Sequence, residues 1–311
     1  MTTENDTTSR RKVLQCMAWG SVGLLWTVAG GVPRAQALDQ IATASDQPAN
    51  AGAFSFVQIS DSHIGFNKEA NPAPDSTLRE ALARIAAMKS RPAFLLHTGD
   101  VTHLSKPSEF DAAAEIMKSA ALETFYVPGE HDVINDDGKA FFTRFGRSQK
   151  TDGWYSFDQG GVHFIALVNV LNLRAGGLGY LGPDQLEWLE DDLKGKSAST
   201  PIVVLAHMPL WALYPQWGWG TDDAAQALGY LRRFGSVTVL NGHIHQIMQK
   251  VEGNVSFQTA MSTAFPQPAP GNGPGPGPMV VPAEKLKSVL GLRRIDFVKG
   301  APTIFDNSLA G

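Results

Sequence analysis

The amino-acid sequence predicts an α/β domain in which mainly parallel strands are covered by helices. Two observations lead to this prediction. From residue 54 onward, short apolar runs alternate with stretches whose apolar residues recur at helical spacing, and such alternation is typical of buried parallel sheets. In addition, five of the apolar runs lead into Asp, Glu or His within a few residues. In open α/β sheets, ligands bind beyond the carboxyl ends of strands, so these residues are candidates for one common site.

Composition sets the outer limits of the fold and function. The chain has 311 residues, of which 43% are hydrophobic and 18% are charged, as expected for one large or two small globular domains. Its formal net charge is −4, which gives no basic footprint for nucleic acid. The single cysteine, Cys16, excludes a framework of intrachain disulfides.

The amino terminus has the pattern of a twin-arginine export signal. Arg10 and Arg11 precede a glycine-containing apolar run at residues 17–32, and the small-residue sequence AQA ends at Ala37. A membrane anchor is the alternative interpretation, but the run falls short of the roughly 20 residues that span a bilayer core. We therefore expect residues 1–37 to be a signal peptide that is removed after export.

The predicted signal implies an organisation for the rest of the chain. Residues 38–53 form a linker, and residues 54–311 form the folded domain, with a Pro/Gly-rich segment at 266–282 that is extended over its surface. The expected partners are then the twin-arginine export machinery and a small substrate. The expected location is the periplasm, without a membrane anchor once the signal has been removed.

Apolar runs bounded by turn residues predict the strands. In chain order they occupy residues 54–60, 93–98, 124–128, two strands within 154–168, 201–206, 237–241, a hairpin within 247–260, 293–298 and 302–306. The helices follow from apolar residues spaced by three or four, such as Leu78, Leu82 and Ile85. Ser108 can cap one helix, and Pro183 suits the first turn of another. The helices occupy residues 77–88, 108–121, 183–194, 222–234 and 282–290.

Carboxylates and imidazoles follow five separate strands. In chain order they are Asp61 and His63, then Asp100, then Glu130, His131 and Asp132, then His207, and finally His243 and His245. A single Asp after a strand is usually a turn or cap residue, and a single buried His is usually a packed core residue. Five such coincidences at one edge of a sheet favour a functional site.

The residue types suit two adjacent metal ions. Asp61, His63, Asp100 and His245 can surround one ion, and Asp100, Glu130, His207 and His243 the other. In extended chain, His243 and His245 lie on the same side. Nitrogen and oxygen ligands without thiolate suit Mn, Fe, Zn or Co, as divalent or mixed-valence ions. Two ions about 3.5–4 Å apart can share a hydroxide and clamp a phosphoryl group.

The ordered motifs DSH, GD, GEHD, AHMP and GHIH resemble those of the calcineurin-like metallophosphoesterases. That family's pattern is D-x-H, G-D, G-N-H-[DE], H and G-H-x-H, and the resemblance covers about residues 54–259. It implies a four-layer αββα sandwich and a dinuclear metal site. It also implies that His131 stabilises the transition state or protonates the leaving oxygen, and that Asp132 orients His131.

Glu130 departs from the family pattern, which has Asn at this place. Three carboxylates, those of Asp61, Asp100 and Glu130, oppose the charge of two divalent ions and leave +1, where Asn would leave +2. We expect Glu130 to hold a metal, to attract phosphate dianions less strongly and to favour trivalent iron. The alternative is that the substitution weakens the second metal site and abolishes activity.

The sequence therefore predicts a metal-dependent hydrolase that attacks a phosphodiester with metal-bound hydroxide. A phosphomonoesterase or a pyrophosphate hydrolase of the same family is the alternative, and a metal-loaded binding protein without turnover is a third. His103 is a candidate donor to the substrate. Trp211 and Trp217 are candidates for a wall that stacks the substrate, although packing of a long loop explains them equally well.

Overall fold

The structure is a computed structural model, and it describes residues 24–29, 32–37, 54–148, 152–298 and 301–310. Strands β1 (Leu24–Ala29) and β2 (Val32–Ala37) pair antiparallel in a two-stranded sheet, which belongs to a separate unit from the rest of the described chain. The predicted signal overlaps this hairpin. Its arginines, Arg10 and Arg11, and the predicted linker 38–53 lie outside the described residues.

Eleven further strands form two mixed sheets. They are β3 (Phe54–Ile59), β4 (Leu95–His97), β5 (Thr124–Tyr126), β6 (Tyr155–Gln159), β7 (Val162–Ala166), β8 (Ile202–Leu205), β9 (Val237–Asn241), β10 (Gln249–Glu252), β11 (Val255–Thr259), β12 (Gly291–Val298) and β13 (Ala301–Ser308). The first sheet has the order β13-β12-β3-β4-β5, and the second has the order β10-β11-β9-β8-β7-β6. Each sheet contains a run of parallel neighbours, β3-β4-β5 in the first and β7-β8-β9-β11 in the second.

Six α-helices lie in the described residues. They are α1 (Pro74–Ala86), α2 (Pro107–Met117), α3 (Lys139–Phe145), α4 (Pro183–Leu193), α5 (Ala224–Leu231) and α6 (Ala283–Val289). Three of them, α1, α2 and α4, begin with proline, which has no N–H to leave unpaired at a first turn. Helix α3 was not among the helices predicted from the sequence. None of the helices in the described residues has the length and apolar character needed to cross a membrane.

The two sheets pack face to face with helices outside them. Alternate residues of β3 show this directly, because Phe56 enters the core between the sheets while Val57 and Ile59 pack against α1 and α2. In the second sheet, Val203 of β8 faces the other sheet and Val204 faces α4 and α5. Burying each such side chain contributes about 1.5–3 kcal/mol. The predicted four-layer αββα architecture is therefore confirmed.

The Pro/Gly-rich segment at 266–282 contains neither helix nor strand and is mostly half-buried or exposed. The N–H of Met279 donates to the carbonyl of Pro266 at 2.8 Å, and Gln246 donates to the carbonyls of Gln267 and Pro268 at 3.0 and 2.8 Å. The first bond joins the two ends of the segment, and the two bonds from Gln246 attach the segment to the loop that follows β9.

Candidate metal centre

The candidate ligands sit in loops at the carboxyl ends of parallel strands from both sheets. Those after β3 and β4 are held together by backbone hydrogen bonds, such as the N–H of Asp61 to the carbonyl of Gly99 at 2.9 Å. In the second sheet, the N–H of Gly242 donates to the carbonyl of His207 at 3.1 Å. The N–H of His243 donates to Oδ1 of Asp61 at 3.0 Å and so joins the two sheets at this rim.

Five of the candidate ligands adopt left-handed backbone conformations. Their φ angles are +54° at Asp61, +41° at His63, +52° at Asp100, +69° at His243 and +55° at His245. Only three other non-glycine residues of the described chain have positive φ. Such conformations cost on the order of 1–3 kcal/mol each and persist where the surrounding structure enforces them, often at functional sites. The strain is therefore concentrated at this rim of the sandwich.

Two glycines let the chain approach the ligands closely. Gly99 has a φ of +96°, and a Cβ there would collide with the ring of His207 and with the backbone of Gly129. A Cβ on Gly242 would collide with Ser60 and with the carboxylate of Asp61. These glycines precede Asp100 and His243 because a larger residue would push the ligands apart.

One group of ligands consists of Asp61, His63 and His245. The Nε2 atoms of His63 and His245 lie 3.2 Å apart, and Nε2 of His245 lies 3.3 Å from Oδ1 of Asp61. All three residues are buried. Two imidazole nitrogens and one carboxylate oxygen converging in this way match the donor set of a transition metal.

A second group consists of Glu130, His207 and His243. Oε2 of Glu130 lies 2.9 Å from Nε2 of His207, and Oε1 lies 3.0 Å from Nδ1 of His243. Glu130 thus occupies the place predicted from the sequence, with its two oxygens directed at two different histidines.

Asp100 connects the two groups. Its Oδ2 atom lies 3.5 Å from Nε2 of His63 in the first group and 3.4 Å from Nε2 of His207 in the second. Its Oδ1 atom accepts the backbone N–H of His131 at 3.0 Å. A single carboxylate oxygen therefore faces both groups, as required of a ligand that bridges two ions.

The seven residues, which we call the metal-candidate cluster, fit a pair of cations. Four buried atoms in it have no hydrogen-bond partner: Oε2 of Glu130, Nε2 of His207, and both ring nitrogens of His243. Buried polar atoms without partners are rare and costly in folded proteins. Three of the four, namely Oε2 of Glu130, Nε2 of His207 and Nδ1 of His243, lie within 3.0 Å of another ligand atom without hydrogen-bond geometry, an arrangement that a shared cation explains.

Backbone carbonyls fix which ring nitrogen faces the cluster. Nδ1 of His207 donates to the carbonyl of Thr98 at 2.7 Å, and Nδ1 of His245 donates to the carbonyl of Phe265 at 2.6 Å. Each bond leaves Nε2 unprotonated on the neutral ring and directed at the cluster. Such outer hydrogen bonds orient metal-ligating histidines.

Burial and interactions among the carboxylates and imidazoles shift the pKa values of the cluster. Burial lowers the pKa of His63 well below its usual value, and the neighbouring histidines lower it further. Burial raises the pKa of Glu130, but His243 and His207 more than offset this and hold it well below its usual value. Glu130 is therefore ionised, as a metal ligand must be.

The pKa of His207 is shifted upward, in the direction opposite to those of His63 and Glu130. Burial lowers its pKa, but the carboxylates of Asp100 and Glu130 more than compensate and raise it well above the usual value. A proton and a metal ion therefore compete for Nε2 of His207, so metal affinity must fall as the pH is lowered.

His131 and Asp132 lie beside the cluster in a 3-10 turn, Glu130–Asp132. Asp132 is not hydrogen-bonded to the ring of His131, contrary to the implied role. Its carboxylate accepts the backbone N–H groups of Val101, Thr102 and Gly129 at 2.8–3.0 Å and so ties the loops together. Burial, with the nearby Asp100, raises the pKa of Asp132 to about 7, although these N–H groups lower it.

The carbonyl of His103 takes the orienting role that was expected of Asp132. It accepts a hydrogen bond from Nδ1 of His131 at 2.7 Å. The ring of His103 stacks on that of His131 with centroids 5.0 Å apart, and its Nδ1 lies 3.4 Å from Nδ1 of His63. His103 is thus part of the site wall, and its role as a donor to substrate stays a prediction.

The two candidate tryptophans contact other aromatic side chains. Trp211 packs on Phe257 with centroids 5.1 Å apart, in the core beneath the outer helices. Trp217 meets Tyr214 and Trp219 edge to face at 5.1 and 5.2 Å. These contacts agree with packing of a long loop, and a substrate wall stays a prediction.

One aromatic residue of the site was missed in the sequence. Phe265 stacks on His63 with centroids 4.7 Å apart and contacts His245 at 4.8 Å. It lies just ahead of the Pro/Gly-rich segment, far along the chain from both histidines, and the sequence contains no local pattern that marks it.

A sequence profile of the calcineurin-like phosphoesterases matches residues 54–247, a range that contains every residue of the metal-candidate cluster. The chain belongs to this family. As a calcineurin-like phosphoesterase, it is a metal-dependent phosphoester hydrolase, which confirms the enzyme class predicted from its motifs.

Curated relatives of this phosphoesterase include two enzymes named for phosphodiesters. A 3',5'-cyclic-nucleotide phosphodiesterase of Nostoc sp. is 26% identical over 217 residues, which cover 68% of this chain and 79% of the relative. A glycerophosphodiester phosphodiesterase of Enterobacter lignolyticus is 21% identical over 198 residues, which cover 61% of this chain and 69% of the relative.

Solved structures share the fold of this phosphoesterase. A dimetal phosphatase from Danio rerio superposes with a TM-score of 0.62 at 12% identity, covering 82% of this chain and 96% of that one. A purple acid phosphatase from yellow lupin superposes with a TM-score of 0.61 at 14% identity, covering 85% and 53%. At these identities the likeness concerns the fold alone.

Proposed function

We propose that this chain is an exported, dinuclear metal-dependent phosphodiesterase. The dinuclear site is supported chiefly by the position of Oδ2 of Asp100. This atom lies 3.5 Å from a histidine of one group and 3.4 Å from a histidine of the other. The choice of phosphodiesters is supported by two relatives named as phosphodiesterases.

The proposed division of the ligands between the two ions is the one expected from the sequence. Asp61, His63 and His245 would hold one ion, and Glu130, His207 and His243 would hold the other, with Asp100 shared. Two ions bound there would supply an activated water and a Lewis-acid clamp on the phosphoryl oxygens. Mn, Fe, Zn and Co all suit this donor set.

His131 is the proposed proton donor. Because Nδ1 is bonded to the carbonyl of His103, Nε2 is the nitrogen left to reach a substrate. Burial lowers the pKa of His131, but the carboxylates of Asp100 and Glu130 more than offset this and raise it. That direction favours the protonated ring, which suits a general acid for the leaving oxygen.

Hydrolysis of two chromogenic esters tests this proposal. Purified protein loaded with each of the four metals is assayed with bis-p-nitrophenyl phosphate and p-nitrophenyl phosphate, and its metal content is determined in parallel. We expect faster turnover of the diester, and loss of turnover with retention of metal in His131→Ala. Faster monoester turnover would identify a phosphomonoesterase instead. Two bound ions without hydrolysis of either ester would identify a metal-binding protein.

Export through the twin-arginine machinery to the periplasm is the second part of the proposal. It is supported by Arg10 and Arg11 ahead of the apolar run and by the small residues that end at Ala37. Fractionation of cells that express the full chain with a carboxyl-terminal tag tests it. We expect the wild type in the periplasm and the variant with Arg10→Lys and Arg11→Lys in the cytoplasm. Equal distribution of both proteins would contradict export by this route.

A further inference from the structure

Glu130 occupies the more open side of the metal-candidate cluster. The side chains of Asp61, Asp100 and His207 are at most 2% exposed, whereas Glu130 is 24% and His243 is 11% exposed. A substrate that approaches the cluster from solvent therefore meets Glu130 and His243 before it meets the buried carboxylates.

Within the described residues, the charged or potentially charged partners that lie against the carboxylate of Glu130 are histidines. Its oxygens lie 2.9 and 3.0 Å from His207 and His243, and Oε2 accepts no hydrogen bond. No lysine or arginine forms an ion pair with Glu130 among the described residues. Its negative charge is therefore opposed only by the histidines and by cations bound between them.

A charge balance follows from this arrangement. Asp61, Asp100 and Glu130 contribute three negative charges against the four positive charges of two divalent ions, so the loaded centre carries a net charge of about +1. With a neutral side chain at position 130, it would carry about +2. One unit of charge at short range changes the binding of an anion by on the order of tenfold or more.

We propose that Glu130 determines specificity, by disfavouring dianionic phosphate monoesters relative to monoanionic phosphodiesters. This inference rests on the proposed function and concerns the substrate class of the same site. A diester carries one negative charge at neutral pH, whereas a terminal phosphate carries nearly two because its second pKa is about 6. The second charge is the one that Glu130 opposes.

The same carboxylate promotes release of the product. In diester hydrolysis, the water oxygen forms a bond to phosphorus, the bond from phosphorus to the leaving oxygen breaks, and the leaving oxygen takes a proton. The product is a phosphomonoester that ionises to a dianion at neutral pH. Glu130 therefore weakens the binding of product more than the binding of substrate.

The test replaces Glu130 by Gln, which keeps the length and removes the charge. Metal-loaded Glu130→Gln and wild type are compared by kcat/KM for the two p-nitrophenyl esters and by calorimetric Kd for inorganic phosphate. We expect the monoester-to-diester ratio of kcat/KM to rise on the order of tenfold in the variant, and phosphate to bind more tightly by a similar factor. Glu284→Gln, which neutralises an exposed carboxylate on α6, is the matched control and should change neither quantity.

Several outcomes would overturn the inference. In Glu130→Gln with both ions retained, the monoester-to-diester ratio of kcat/KM and the Kd for phosphate could both be unchanged. That result would show that the charge of Glu130 does not distinguish monoesters from diesters. If this variant loses an ion, the inference is tested on the wild type instead, by comparing its Kd values for inorganic phosphate and dimethyl phosphate at pH 8. Tighter binding of phosphate by more than tenfold would then contradict the inference, and comparable affinities would support it. Absence of hydrolysis in the wild type would defeat the proposed function, while the phosphate Kd would still test the role of Glu130.

Discussion

Two regions of the molecule combine histidines with carboxylates, but they differ in the pairing of their polar atoms and in their backbone conformation. One is the metal-candidate cluster. The other, which we call the strut cluster, consists of Asp158 on β6, His163 on β7 and Asp192 on α4. In the strut cluster, Nδ1 of His163 lies 2.8 Å from Asp158 and Nε2 lies 2.7 Å from Asp192. Ser156 donates to Asp192 at 2.6 Å, and Lys196 to Asp158 at 3.1 Å.

The difference lies in how completely the polar atoms are paired. Every ring nitrogen of the strut cluster faces a carboxylate oxygen, and His163 lies in a regular strand. In the metal-candidate cluster, buried ring nitrogens lack partners and the backbone is left-handed at five residues. Pairing and backbone strain, rather than residue type, therefore separate a structural cluster from a functional one.

The largest expected effect is loss of catalysis in Asp100→Asn. Because Oδ2 of Asp100 lies within 3.5 Å of a histidine of each group, the substitution removes a charged ligand from both groups at once. We expect kcat/KM for bis-p-nitrophenyl phosphate to fall at least on the order of a thousandfold, since bound ions supply several kcal/mol of transition-state stabilisation. Metal analysis of the same sample should show fewer bound ions. Activity within tenfold of the wild type with both ions bound would contradict the bridging role.

The corresponding change in the strut cluster should affect stability and leave catalysis intact. His163→Ala leaves the partly buried carboxylate of Asp192 without its imidazole partner, and breaking such a pair costs about 3 kcal/mol. Urea unfolding of chelated protein should show this loss, while kcat of the metal-loaded variant stays within about twofold of the wild type. A large fall in kcat at unchanged stability would mean that the strut cluster contributes to catalysis at the metal-candidate cluster.

The sequence predicted that the seven candidate ligands lie together because they follow strands that are themselves easy to recognise. Asp61, Asp100 and His207 each come within two residues of the end of a predicted strand, at 54–60, 93–98 and 201–206, and the parallel arrangement of the strands brings their carboxyl ends together. The strongest prediction thus depended on short-range patterns and one general property of parallel sheets.

What escaped prediction depends on contacts between distant parts of the chain. The carbonyl of Thr98 orients His207, 109 residues away, and neither residue type signals this. The short helix α3 has only seven residues, Lys139–Phe145, and begins after Gly138 in a left-handed conformation, so it lacks both the length and the cap expected of a helix. The role of Asp132 was assigned from the family pattern, whereas the structure gives the orienting contact to a backbone carbonyl.

Chelation should distinguish the two clusters without any substitution. Ions that bind only the folded state stabilise it by about 2.7 kcal/mol at a free concentration of 100 Kd, so removal with EDTA should lower Tm by roughly 5–10 °C in a domain of this size. His163→Ala should show the same difference between loaded and chelated samples, because the strut cluster needs no ion. A Tm unaffected by EDTA, in protein shown to have lost its metal, would contradict binding of ions by the strained loops.

The smallest expected effect is a pH dependence carried by the strut cluster. Burial raises the pKa of Asp192, but hydrogen bonds from His163 and Ser156 more than offset this and lower it below the usual value. A lowered pKa in the folded state contributes stability above the unfolded pKa of about 3.9, and that contribution is lost as the pH falls through the lower folded value. We therefore expect Asp192→Asn to be less stable than the wild type by about 1 kcal/mol at pH 6, and the difference to shrink below about pH 4.

Urea unfolding of both chelated proteins between pH 6 and pH 2.5 measures this difference in stability. The metal-candidate cluster contributes equally to both proteins, so its contribution cancels. A difference that stays constant over the whole range would mean that Asp192 stabilises the fold by packing rather than by its charge.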